Sequence, residues 1–102
     1  MSQAALMTAL PALLLHPDDN VLVCRAPIAQ GDEVLIEGRR VVSGEAVDIG
    51  HKIARRDLKA GDKIIKYGAP IGSAVVDITI GAHVHLHNIK SDYIATHSRE
   101  AS

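Results

Sequence analysis

The sequence predicts a mainly β domain of short strands with little helix. Apolar residues make up 47% of the 102 residues, yet aromatics only 2%, with no Phe and no Trp. The core must therefore come from Val, Ile, Leu and Ala, and the β-branched residues of the second half favour strands. Short apolar segments alternate with Gly-, Pro-, Asp- and Asn-bearing turns, and no segment sustains a helical apolar stripe.

Residues 4–15 are apolar, but no Lys or Arg precedes them and Pro11 interrupts the run, so they do not read as a signal peptide. They are too short for a membrane span, which takes about 20 residues. The expectation is an extension over 1–11, loosely ordered or a short helix, then one domain over 12–90. A polar tail over 91–102 is expected to fray. Strands are expected at 12–16 and 21–25, joined as a hairpin by Pro17-Asp18-Asp19-Asn20. Strands at 33–36 and 39–42 flank Glu37-Gly38, a tight reversal that needs positive φ. Segments 46–49 and 51–54 flank Gly50. One short helical turn is expected at 55–59. Residues 62–67 read as a strand, Gly68-Ala69-Pro70 as a turn, and 71–78 as a further strand.

A turn device recurs. Ile28, Gly31 and Val34 share their spacing with Leu58, Gly61 and Ile64, and with Ile78, Gly81 and Val84. A glycine at a fixed place implies the same positive-φ turn launching a strand each time. The intervals between copies are unequal, so the pattern is not a solenoid.

The third copy leads into His83-Val84-His85-Leu86-His87-Asn88-Ile89, which holds three of the six histidines. Read as one extended strand, His83, His85 and His87 point to one face, and the core residues Val84 and Leu86 to the other. On a helix the three would spread at about 200° steps. Imidazoles at this spacing suit metal ligation, proton transfer or hydrogen bonding to an oxyanion, or are half-exposed strand histidines with ordinary partners.

Composition narrows the function classes. The formal charge of −1 and the scarcity of aromatics argue against nucleic-acid binding. The single cysteine, Cys24, excludes an internal disulfide and reads as a small buried hydrophobe in a cytoplasmic protein. Several short strands leave edges that need cover, so self-association or a larger partner is expected.

Blocks spread along the chain carry a resemblance: Gly50-His51-Lys52-Ile53-Ala54, Asp57-Leu58-Lys59-Ala60-Gly61-Asp62, Ile65-Lys66-Tyr67-Gly68, Ile71-Gly72 and His83 to Asn88. In this order they resemble the small N-terminal domain of the altronate and galactarate dehydratase family, a SAF domain of β-clip fold. The similarity runs over about residues 16–88. It implies a small or accessory subunit of a sugar-acid dehydratase, inactive without a large catalytic subunit. That enzyme eliminates water from a hydroxy acid to give a 2-keto-3-deoxy acid. The resemblance extends to the small subunit of sulfolactate sulfo-lyase, whose leaving group is sulfite, and a stand-alone SAF carbohydrate-binding module is a third possibility. A divalent metal, usually iron, accompanies the family, mainly on its large portion.

On this reading His83 and His85 are the candidate catalytic residues, and His83, His85 and His87 the candidate metal ligands. Lys52 and Lys66 are candidates to pair with a substrate carboxylate, or are ordinary surface lysines. His51 either aims at the same cleft or is a turn histidine bonded to backbone. Tyr67 either hydrogen-bonds a substrate hydroxyl or packs as a lid. No carboxylate cluster is evident beside the histidines. Arg55-Arg56 reads as a solvated pair or a subunit contact, and His16 and His97 as incidental.

Overall fold

A computed structural model describes residues 12–92, and the expectations for residues 1–11 and for His97 lie outside them. The elements are nine short strands: β1 (Ala12–Leu13), β2 (Val21–Cys24), β3 (Glu33–Ile36), β4 (Arg39–Val42), β5 (Lys52–Ala54), β6 (Lys63–Lys66), β7 (Ala69–Ala74), β8 (His83–Val84) and β9 (Ile89–Lys90). The predicted mainly β class is what is observed. Every pairing is antiparallel. A four-stranded sheet runs in the order β1-β2-β5-β8, with a β3-β4 hairpin and a β6-β7-β9 sheet beside it. Among the described residues no helix is long and apolar enough to cross a membrane.

The four-stranded sheet lies between two cores, and its apolar runs follow from that. On β2, Val21 packs into one core, while Leu22 and Cys24 pack into the other. On β5, Ile53 and Ala54 divide the same way. Period-two alternation with both faces covered needs a continuous apolar segment such as Val21-Leu22-Val23-Cys24. Leu58, Ile64, Ala74, Ile78 and Val84 fill the first core; Ile28, Val34, Ile36 and Val47 fill the second.

The Gly-centred turn device occurs four times. Gly31, Gly61 and Gly81 have φ of 91°, 96° and 83°, and Gly50 has φ 85°. The fourth copy is Val47-Asp48-Ile49-Gly50-His51-Lys52-Ile53, with the same apolar, Gly, apolar spacing. In each copy the residue after the glycine donates to the carbonyl three residues back: Asp32 to Ala29, His51 to Asp48, Asp62 to Lys59 and Ala82 to Thr79, at 2.9–3.1 Å. The copies pair as isolated bridges, Ile28 with Val47 and Leu58 with Ile78. All four of these side chains are buried, so each pair plugs one core while its glycines aim the next strands.

Several local expectations are corrected. Residues 46–49 and 55–59 form neither a strand nor a helical turn; each is a bridged loop, because burying Val47 and Leu58 wins over local propensity. The β6–β7 reversal sits at Tyr67-Gly68, both at positive φ (58° and 73°), so Ala69 and Pro70 already lie in β7, beside an irregularity in the register at Ile64/Ile65. Beyond Ala74 the chain leaves the sheet, so no strand extends to residue 78. The segment 12–16 pairs only at Ala12 and Leu13. Residues 91–92 of the expected tail are held: the Asp92 carboxylate accepts from Lys63 Nζ at 2.7 Å and Ser73 Oγ at 3.0 Å. Those hydrogen bonds, from Lys63 first, keep the Asp92 carboxyl below its ordinary value.

Candidate functional site: an imidazole cluster at the β5–β8 edge

The site begins with two glycine turns. Gly50 and Gly81 launch β5 and β8, which pair antiparallel with Lys52 opposite Val84 and Ile53 opposite His83. Ile53 and Val84 are buried and anchor the two strands, leaving His51 and His83 half-buried at the sheet edge. In the copies ending at Asp32 and Asp62, the residue after glycine folds its carboxylate back onto its own turn, accepting from the amides of Ala29 and Lys59 at 2.9 Å. His51 occupies that position in the fourth copy and instead reaches across to His83.

The expected strand over residues 83–89 is not observed. It stops at Val84, and residues 85–88 form a turn before β9. Buried Asn88 makes the turn. Its Oδ1 accepts from the His85 amide at 2.9 Å, and its Nδ2 donates to the His83 carbonyl at 2.7 Å. The Asn88 and Ile89 amides close it on the His85 carbonyl. A side chain bonding local backbone in this way competes with a ladder. Leu86, expected in the core, therefore stands 80% exposed at the turn's tip.

The turn gathers the histidines. His51 Nδ1 lies 2.8 Å from His83 Nε2, a hydrogen bond in which one ring donates and the other accepts. His51 and His85 stack with centroids 4.5 Å apart, and His83 stacks on His85 at 5.4 Å. The exposed His87 ring tilts against His83 at 5.2 Å. Ring nitrogens of His51, His83 and His85 lie within 4.8 Å of one another, and so do ligand atoms of Glu45, His83 and His87. The three histidines named as candidate ligands thus divide into two sets that share His83. Sequence reasoning missed Glu45, which the expectation of no neighbouring carboxylate leaves out. Its loop is fixed by the Ile28–Val47 bridge and by a 2.6 Å hydrogen bond from Ser43 Oγ to the Glu45 carbonyl. Neither contact is visible as a local pattern.

Electrostatics favour neutral rings. Burial pushes His83 below the ordinary imidazole value, against an upward pull from Glu45, and the neighbouring histidines push it further down. His85 is also lowered, by lost hydration first and then by His51, Lys52 and His87. Burial lowers Lys52, and the charge of Lys66 adds to the effect. Lys66 Nζ lies 5.9 Å from the Tyr67 ring centroid. Tyr67 itself is 67% exposed on its hairpin corner. The lowered His83 and His85 favour rings with an unprotonated nitrogen, beside the lysine Lys52.

The donor set also fits a divalent first-row ion. Imidazole nitrogen suits iron, zinc and cobalt, and ligands on one ion each sit at about 2.0–2.1 Å from it.

Other singled-out residues are structural. Arg55 donates to Glu37 at 2.9 Å, to the Pro17 carbonyl at 2.8 Å and to the Asp19 carbonyl at 2.7 Å, so it ties three segments together. The His16 ring lies against Gly68, where an added Cβ would come within 2.9 Å of it. Cys24 is buried, and burial pushes its thiol up.

Comparison with known proteins agrees with the fold and the blocks. The altronate/galactarate dehydratase SAF domain matches residues 10–92. Altronate dehydratase of Escherichia coli (strain K12) is 44% identical over 78 residues, 76% of this chain and 16% of that protein. Altronate dehydratase of Bacillus subtilis (strain 168) is 41% identical over the same length and shares. The alpha subunit of (2R)-sulfolactate sulfo-lyase from Paracoccus pantotrophus is 48% identical over 52 residues, 51% of this chain and 78% of that subunit. The chain thus spans about a sixth of the altronate dehydratases it matches, and most of a short lyase subunit. With the match covering residues 10–92, the chain belongs to the altronate/galactarate dehydratase SAF domain family.

Proposed function

We propose that this chain is the accessory SAF part of a cytoplasmic lyase that eliminates water from a hydroxy acid, and that its imidazole face completes a site made mostly by a larger catalytic part. The observation that carries the reading is the gathering of His51, His83, His85 and His87 beside Lys52 at one sheet edge. The substrate class is a hydroxy acid, after the dehydratases that this chain resembles.

Elimination from a hydroxy acid removes the proton α to the carboxylate and expels the β-substituent, passing through an enolate. It needs a base, an acid at the leaving group and positive charge against the carboxylate. Where no metal ion occupies them, His83 and His85 accept or return a proton at a ring nitrogen; where one does, they hold it against the substrate. Lys52, supported by Lys66, offsets the carboxylate charge, and Tyr67 beside Lys66 bonds a hydroxyl. A divalent metal, iron by family resemblance, would add Lewis-acid stabilisation of the enolate when bound. Leu86, exposed between His85 and His87, is an apolar anchor for the larger part.

A second reading takes sulfite as the leaving group. The 78% coverage of a separate lyase alpha subunit favours it, because there the SAF part is a short chain of its own. One assay tests the shared reading and separates the two. The pure chain, a large catalytic chain of either type, and the mixture are incubated with hexonates, hexarates and sulfolactate, with and without ferrous iron. The expected result is turnover only in the mixture, with a 2-keto-3-deoxy acid marking the first reading and sulfite the second. Turnover by this chain alone contradicts both.

A further inference from the structure

We infer that this chain by itself holds one divalent first-row metal ion through ring nitrogens of His51, His83 and His85. The proposal stands on the local geometry and does not require the lyase reading.

The three side chains come from the residue that follows the Gly50 turn, from β8 and from the turn after it, and each is fixed by its own backbone contacts. The amide of His51 is tied to Asp48 and its carbonyl to Cys24, at 3.1 and 2.8 Å. His83 is registered against Ile53 in the sheet. His85 is held at both its amide and its carbonyl by Asn88. Such anchoring keeps the rings close before any ion arrives, so little ordering entropy remains to be lost on binding. The 2.8 Å hydrogen bond between His51 Nδ1 and His83 Nε2 sets two ligand atoms side by side, and a tautomer change in the donating ring frees both for an ion. Three neutral imidazoles leave the ion's full charge uncompensated and its remaining positions open, as a site for an anionic ligand requires. Glu45 and His87 form a second set with His83, their ligand atoms lying within 4.8 Å of one another.

This assignment differs from a set drawn along the sequence. His87 completes the alternating pattern, but its contact is with His83 and the Glu45 side of the cluster. His51, distant in sequence, takes the third position.

The test uses the tag-free full chain and Co²⁺, whose visible d–d bands report nitrogen ligation, with Zn²⁺ calorimetry alongside. The expected result is one Co²⁺ per chain, with bands that Zn²⁺ displaces and a higher melting temperature when the ion is present. His51→Ala and His85→Ala should each weaken binding by more than about tenfold, and by clearly more than His87→Ala does. Apo melting curves of the variants show whether the fold is kept; should His51→Ala unfold, His51→Gln takes its place. Absence of d–d bands in the folded wild type overturns the inference. So does a result in which Glu45→Gln and His87→Ala abolish binding while His51→Ala retains it. Activity of any assembled enzyme does not enter this test, so the fate of the lyase reading remains a separate matter.

Discussion

Single side chains decide where this chain bends and what it exposes. Asn88 is the sharpest case. The alternation His83-Val84-His85-Leu86-His87 reads as a strand, and the reading fails because one amide side chain satisfies the His85 amide and the His83 carbonyl. Nothing in the periodicity of neighbouring residues announces that choice. Asn20 and Asp19 act similarly in the first turn. Asn20 exchanges hydrogen bonds with Lys63 and Ile65 at 2.8 Å, and Asp19 accepts from the Gly68 amide at 2.8 Å. A sequence-local turn signal is thus also a long-range staple. Asn88→Ala should lower stability by about 1–3 kcal/mol, since it strands a buried donor and acceptor. Asn88→Asp should lose at least as much, because it keeps the acceptor for His85 but sets a buried carboxylate oxygen against the His83 carbonyl. Urea denaturation of both variants checks this ordering; an Asn88→Ala midpoint equal to wild type contradicts the role given to the turn.

At the level of elements, the recurring glycine turn explains most of what was legible. Its spacing is readable because a positive φ demands glycine, and the Glu37-Gly38 hairpin is readable for the same reason. The fourth copy at Gly50 is harder to see, because His51 stands where two other copies carry aspartate. Loops such as 55–59 were misread because their shape comes from plugging a core, a tertiary demand that leaves no local period. The copies also differ in surroundings, and that gives a test. A Cβ at Gly31 would meet nothing within 4 Å, whereas one at Gly81 would sit 2.5 Å from Val41 Cγ1. Gly31→Ala should therefore cost only the backbone term, about 1–2 kcal/mol. Gly81→Ala should cost more, and adding Val41→Ala should return about 0.5 kcal/mol or more of the excess as a coupling energy. Equal losses at the two glycines, seen in thermal melts, would show that Val41 gives way freely.

Across the described residues, two cores back one sheet whose edge carries the imidazoles, so substitutions in the cores and at the imidazoles are expected to act separately. The fold class and the histidines were legible from composition, turns and blocks. The grouping of His51 with His83 and His85, and the approach of Glu45, were not, since both arise from loop pairing far apart in sequence. The central claim is that the imidazole face contributes chemistry and the residues behind it contribute stability. Its most direct measurement is turnover of the proposed two-part lyase, beside thermal melts, for His83→Ala, His85→Ala and Val84→Ala. The two histidine variants should melt near wild type and lose on the order of 10²-fold or more in turnover, the usual loss for a positioned acid, base or charge-stabilising group. Val84→Ala, which empties a fully buried position, should lose about 1–3 kcal/mol of stability and keep its activity per folded molecule. Histidine variants that melt early yet keep full specific activity would contradict the account, because the cluster would then be part of the scaffold.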